Sequence, residues 1–171
     1  TVSRGLGDVY KRQPFFLMSI SCLSAQSLVI NEIESDSPGT DDAEFIELYS
    51  TTPNTRLEGY VMVLFNGSDD ASYAAYDLYG YSTDTNGYFV IGDSGETVVM
   101  EVFSSSTSSN IKNGPDAVAL YKDNDTDFPN DTAATTTNLV DAVVYDNNQP
   151  DDMALLTGLD ETTQFNEDEG G

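Results

Sequence analysis

YVMVLF, residues 60–65, is apolar or aromatic throughout, as a strand covered on both faces should be. DAVALY, 116–121, sets Val118 and Leu120 on one side of a second strand, and these residues belong in the predicted core. Working outward, short runs rich in Val, Ile, Tyr and Phe recur at 28–33, 44–49, 74–78, 87–91, 97–103 and 139–145. With 60–65 and 116–121 they make about eight strands, enough for two packed sheets, and the fold class they predict is an all-β sandwich.

The segments between these runs have the composition of turns. SDSPGTDD (35–42), FNGSDD (65–70), STDTNG (82–87), SSSTSSN (104–110) and DNDTDFPND (123–131) are built from Gly, Asn, Asp, Ser, Thr and Pro, so no linker or second domain is needed. No repeat of solenoid or propeller period is present. DDMALLTGL (151–159) is the one helix candidate, of one or two turns. In EFIELY (44–49) each face mixes acidic and apolar side chains, which places Glu44 near a sheet rim or against backbone donors. ETTQFNEDEGG (161–171) reads as an acidic linker or tail without a closing strand, and the chain is expected to continue beyond it.

Residues 1–27, TVSRGLGDVYKRQPFFLMSISCLSAQS, run from basic to apolar to small. That is the layout of a signal peptide over 14–27, with an apolar stretch too short to span a bilayer, so a secreted protein is expected and no membrane span. Residues 1–13 begin without Met and resemble translated adaptor sequence more than a native leader; the alternative is that Arg4, Lys11 and Arg12 are a native basic region. Cleavage before Leu28 would remove Cys22, leaving no thiol.

The whole chain carries 30 acidic residues against 6 basic ones, a net charge of −24. From residue 28 onward, 29 acids face only Arg56, Lys112 and Lys122, a net of −26. Bare nucleic acid and anionic membranes are repelled by such a surface. Ten Tyr and eight Phe argue for a folded domain with an acidic skin rather than disorder. There is no histidine, so Ser-His-Asp and Cys-His catalysis and histidine-ligated zinc are excluded within the chain.

LVINEIESDSPGTDDAEFIELY (28–49) resembles the opening of lamin tail domains, in which a strand carrying INE is followed by a loop and then EFIEL. NGYFVIGD (86–93), NGPDAVALYKD (113–123) and NLVDAVVYD (138–146) are similar to the secreted bacterial and marine-invertebrate branch of that family, and the likeness covers roughly 28–160. It implies an immunoglobulin-like β-sandwich without catalytic residues, often found beside nucleases, phosphatases or adhesion modules. Asn31, Glu32, Glu44 and Glu47 match the pattern, and structural roles are expected for them.

Two acidic loops are candidate calcium sites. Asp123, Asp125 and Asp127 are spaced two apart in DNDTD, although Phe128 and Ala134 stand where an EF-hand needs Gly and Glu. Asp36, Asp41 and Asp42 flank the Pro38–Gly39 turn. The other reading of both is solvated loop. Paired carboxylates also serve glycoside hydrolysis, but no Trp or pocket motif accompanies them here. The tyrosines of YAAYDLYGY (73–81) read either as an exposed surface for carbohydrate or protein partners or as sheet packing. Asn66, Asn124 and Asn130 head Asn-x-Ser/Thr sequons, glycan acceptors if the source is eukaryotic.

These readings predict a non-catalytic extracellular interaction or spacer module, not an enzyme, with no required cofactor beyond the candidate calcium. The alternative is an accessory domain fused to a secreted nuclease or phosphatase. A free-standing acidic matrix protein would rest on charge alone, and nuclear nucleic-acid binding conflicts with the charge.

Overall fold

The computed structural model describes residues 28–36, 43–93, 101–103 and 110–166. Cleavage of the leader, Cys22, Asp41 and Asp42 lie outside these residues. The architecture is all-β, with two sheets stacked face to face. β1 (Leu28–Glu34), β2 (Phe45–Ser50), β5 (Tyr88–Gly92) and β6 (Glu101–Val102) form the first sheet in the order β1-β2-β5-β6. β3 (Val61–Asn66), β4 (Ala71–Asp77), β7 (Asp116–Tyr121), β8 (Leu139–Asp146) and β9 (Gln164–Asn166) form the second, ordered β4-β3-β7-β8-β9. A short helix, α1 (Met153–Gly158), joins β8 to β9.

The period-two alternation of each strand builds the interior. Leu28, Ile30, Ile46, Leu48, Phe89 and Ile91 of the first sheet meet Met62, Leu64, Val118, Leu120 and Tyr145 of the second. The alternate residues of β3 and β7, including Val61, Val63, Phe65, Ala117, Ala119 and Tyr121, point the other way and are also buried, under Leu155, Leu156 and Leu159 and beside Phe128. This second apolar layer is why YVMVLF is apolar at both parities. Asp152 caps the helix by accepting from the amides of Ala154 and Leu155 at 2.9 and 3.0 Å.

Asn31 interrupts the alternation of β1. The pairing with β2 runs Ile30 to Leu48 and then Glu32 to Glu47, so Asn31 is an extra residue, a β-bulge. Its amide donates to Glu47 Oε1 at 2.7 Å. The bulge turns Glu32 to solvent and lets Ile33 pack on the core, which unbroken alternation would have reversed.

Three expectations change. A ninth strand, β9, forms within the stretch read as an acidic tail, pairing parallel to β8 with Val144 opposite Gln164 and Tyr145 opposite Phe165. Gln164 holds it there by donating to the Asp146 carboxylate and accepting from the amide of Asp152 at 2.7 Å, contacts that a composition reading cannot foresee. The strand expected from 74 begins at Ala71, where a bulge at Tyr73 restores the register. The strand expected over 97–103 is described at Glu101–Val102, its earlier part lying outside the described residues. Among the described residues no helix is long and apolar enough to cross a membrane.

Candidate functional site

The two sheets do not end together. At one side of the sandwich β1 is the edge of the first sheet and lies against β8, while the second sheet continues for one more strand. β9 therefore overhangs, and a groove opens beneath it, lined by Ile30, Asn31, Glu32 and Ile33 of β1, Val143 and Tyr145 of β8, and Phe165 of β9. Phe165 is 57% exposed, although its partner in the ladder, Tyr145, is buried.

Polar groups fix the walls. The amide of Ile30 donates to Asp141 Oδ2 at 2.7 Å across the sheets, and the Tyr145 hydroxyl donates to the Lys112 carbonyl at 2.9 Å. At the other end of β1, Asn147 Nδ2 lies 3.4 Å from Asp36 Oδ2. Burial pushes the Asp141 carboxyl up, opposed by the amides of Ile30 and Ala142. Burial, then the charges of Asp141 and Asp160, push the Glu161 carboxyl up as well. Carboxylates thus stand at both ends of an apolar slot.

Elsewhere carboxylates serve as backbone anchors. Glu44, fully buried, accepts from the amides of Asn110 and Ile111 at 2.6 and 2.9 Å, the backbone donors anticipated for it. Asp116 accepts from the amides of Gly67 and Gly114, both at 2.9 Å. Burial raises its pKa against those bonds.

The metal candidates are not gathered. Asp123 accepts from the Asn124 amide and from Asn138 Nδ2, both at 3.1 Å; the Asn138 bond first, then contact with Asp127, holds its carboxyl below the usual range. Asp125 and Asp127 lie in a 3-10 turn (Asp125–Asp127), where residues two apart are rotated by roughly 240° and diverge. Among the described residues no three acidic side chains are arranged to hold a metal ion. Asp36 is exposed beside Asn147, and Asp41 and Asp42 are outside the described residues.

The tyrosine segment divides in the same way. Tyr73, Tyr76 and Tyr81 pack against the core, and only Tyr79 of this stretch is widely exposed, at 71%. Asn124 and Asn130 are exposed, whereas Asn66 is half-buried and donates to Ser68 Oγ within its own sequon. Sequence reasoning missed the groove because Phe165 is a lone aromatic among acidic and polar residues; the faint signal was the Gln-Phe-Asn alternation around it. No family model and no curated protein matches the chain.

Proposed function

We propose that this domain is a non-catalytic extracellular interaction module of the lamin-tail kind, which engages a partner through the groove between β1, β8 and β9. The observation that carries the reading is the overhang of β9, which keeps Phe165 in solvent beside Ile33 and Val143 on a rigid scaffold. An apolar slot rimmed by polar groups is the usual form of an interaction site, and its desolvation on binding supplies the driving force. The carboxylates favour the same reading: buried Glu44 and Asp116 and half-buried Asp141 and Asp152 are bonded to backbone amides and so engaged in holding loops and strands. The extracellular placement rests on the basic-then-apolar layout of residues 1–27.

The test pairs binding with turnover. The full chain and its Phe165→Ser variant are applied to arrays of extracellular proteins and glycans, and are incubated with phosphodiester, phosphomonoester and glycosidic substrates. Binding that the variant loses, with no turnover, is the expected result. Turnover abolished by a single carboxylate substitution would overturn it.

A further inference from the structure

We propose that the groove takes an extended, cationic segment of a partner protein, which seats an apolar side chain against Phe165 and Val143 with Lys or Arg residues on either side. This inference rests on the interaction-module reading and names the partner that such a groove fits.

Length supports an extended occupant. The wall from β1 runs over four consecutive residues, Ile30 to Ile33, alongside Val143 and Tyr145 of β8. At about 3.3 Å per residue that is a slot of roughly 10–13 Å, room for about four residues of a strand-like segment.

Charge decides its composition. Asp141, Glu161 and Asp160 cluster at the Ile30 end, Asp36 stands at the Asn147 end, and Glu32 is exposed along the wall. Among the described residues the lining includes no Lys or Arg. All three basic residues of the described chain are engaged away from the groove: Arg56 with Glu58 at 3.0 Å, Lys112 over the Tyr73 ring at 4.6 Å, and Lys122 over Tyr60 at 3.6 Å while donating to the Glu58 carbonyl. Among the described residues the field at the slot is therefore set by its carboxylates, reinforced by the net −26 of residues 28–171. Such a field speeds the approach of cationic segments and repels acidic ones, a second copy of this chain included. The aromatic and aliphatic floor then discriminates among cationic segments, since charge alone gains nothing from Phe165 and Val143.

Fluorescence anisotropy of the full chain with three labelled peptides tests this. GKKLFKKG carries both features, GKKSSKKG the charge alone, and GEELFEEG the apolar pair with acidic flanks. Only GKKLFKKG is expected to bind measurably, with affinity falling as salt screens the carboxylates. Phe165→Ser should weaken it by about tenfold. Glu32→Lys should weaken it several-fold, chiefly at low salt, and Tyr79→Ser, at an exposed aromatic elsewhere, should leave it unchanged. Phe165, Glu32 and Tyr79 are all exposed, so the variants keep the fold, which a thermal melt verifies. Equal binding of GKKSSKKG, indifference to Phe165→Ser, or no binding of any peptide overturns the proposal. Preferential, Phe165-dependent binding of GEELFEEG overturns the partner chemistry while leaving the groove as an interaction site.

Discussion

The backbone amide of Ile30 in β1 points at Asp141 in β8 and donates to its carboxylate at 2.7 Å, so a side chain of one sheet stands where a neighbouring strand would otherwise pair with the edge of the other. Asp141→Ala removes the acceptor and leaves a largely buried amide without its bond. It should destabilise the domain by about 1–3 kcal/mol. Asp141→Asn keeps an oxygen for Ile30 and discards a charge that burial opposes. Its cost should stay under about 1 kcal/mol, and urea unfolding followed by circular dichroism separates the two variants.

Glu44 offers a sharper case, because one carboxylate oxygen accepts two amides in a fully buried position. Glu44→Ala strands the amides of Asn110 and Ile111 together and opens a void, and a loss of about 3–5 kcal/mol is expected. Glu44→Gln retains the accepting oxygen and should lose about half as much. Hydrogen exchange at Asn110 and Ile111 is the direct readout: their protection should collapse in the alanine variant and survive in the glutamine one.

Much of this was legible in the sequence, and the exceptions have identifiable causes. YVMVLF announced a strand buried on both faces because its apolar residues ignore parity, DAVALY placed Val118 and Leu120 in the core, and of the two settings expected for Glu44, a sheet rim or backbone donors, the donors are present. DDMALLTGL gave the short helix expected of it. Bulges were harder. Asn31 and Tyr73 each add a residue to one strand, and composition does not reveal which residue of an alternating run is the extra one. β9 was missed because three residues carry too little pattern, and their hold comes from Gln164 reaching Asp146 and Asp152. Spacing alone suggested that Asp123, Asp125 and Asp127 converge; Asp123 meets Asp127, but the 3-10 turn aims Asp125 away from Asp127.

Two glycines with similar backbone angles should respond differently to alanine. Gly87 has φ +97° and a methyl group there would collide with the Ser50 carbonyl oxygen, whereas Gly80 has φ +90° and open space around it. Gly80→Ala should cost only the left-handed conformation, about 1 kcal/mol. Gly87→Ala adds a clash with backbone that is paired in the sheet register and should cost about 3 kcal/mol or more. Melting the two variants side by side isolates the steric part.

Acidification should first stabilise this domain. Burial raises the carboxyls of Asp116 and Asp141, and burial followed by neighbouring acids raises Asp70 and Glu161. A raised folded value means tighter proton binding when folded, so the stabilisation is fully present below the unfolded values, 3.8 for Asp and 4.5 for Glu, and is lost as pH rises through the folded ones. Asp84 and Asp123 run the other way: the hydrogen bonds that Asp84 accepts, from the Tyr88 amide first, and that Asp123 accepts from Asn138 lower their pKa values. Their contribution is present above 3.8 and lost as pH falls through their folded values. The midpoint of thermal unfolding should therefore rise from pH 7 toward about pH 4–5 and drop below about pH 3.5. A monotonic fall from neutrality would contradict the buried-carboxylate account.

At the alkaline end, burial pushes the Tyr121 hydroxyl up to about 12 and that of Tyr73 still higher. Raised values again favour the protonated folded state, so their contribution holds below pH 10 and disappears as pH climbs through about 12. Tyrosinate absorbance should show a slow, late fraction, from Tyr121 and Tyr73, that ionises together with unfolding.

The parallel pairing of β9 with β8 has a consequence for how the domain can be cut. To lie parallel, the chain must travel back along the full length of β8, and the returning segment, 147–163, is the one that lays Leu155, Leu156 and Leu159 over the outward face of the second sheet. That face, with Val61, Val63, Phe65 and Tyr121, has no other apolar cover among the described residues apart from Phe128 and its partly buried neighbours. A protease clip or an expression boundary near residue 150 would therefore spare every strand from β1 to β8 and still yield a sticky, aggregating fragment, because the last stretch acts as the sheet's built-in lid.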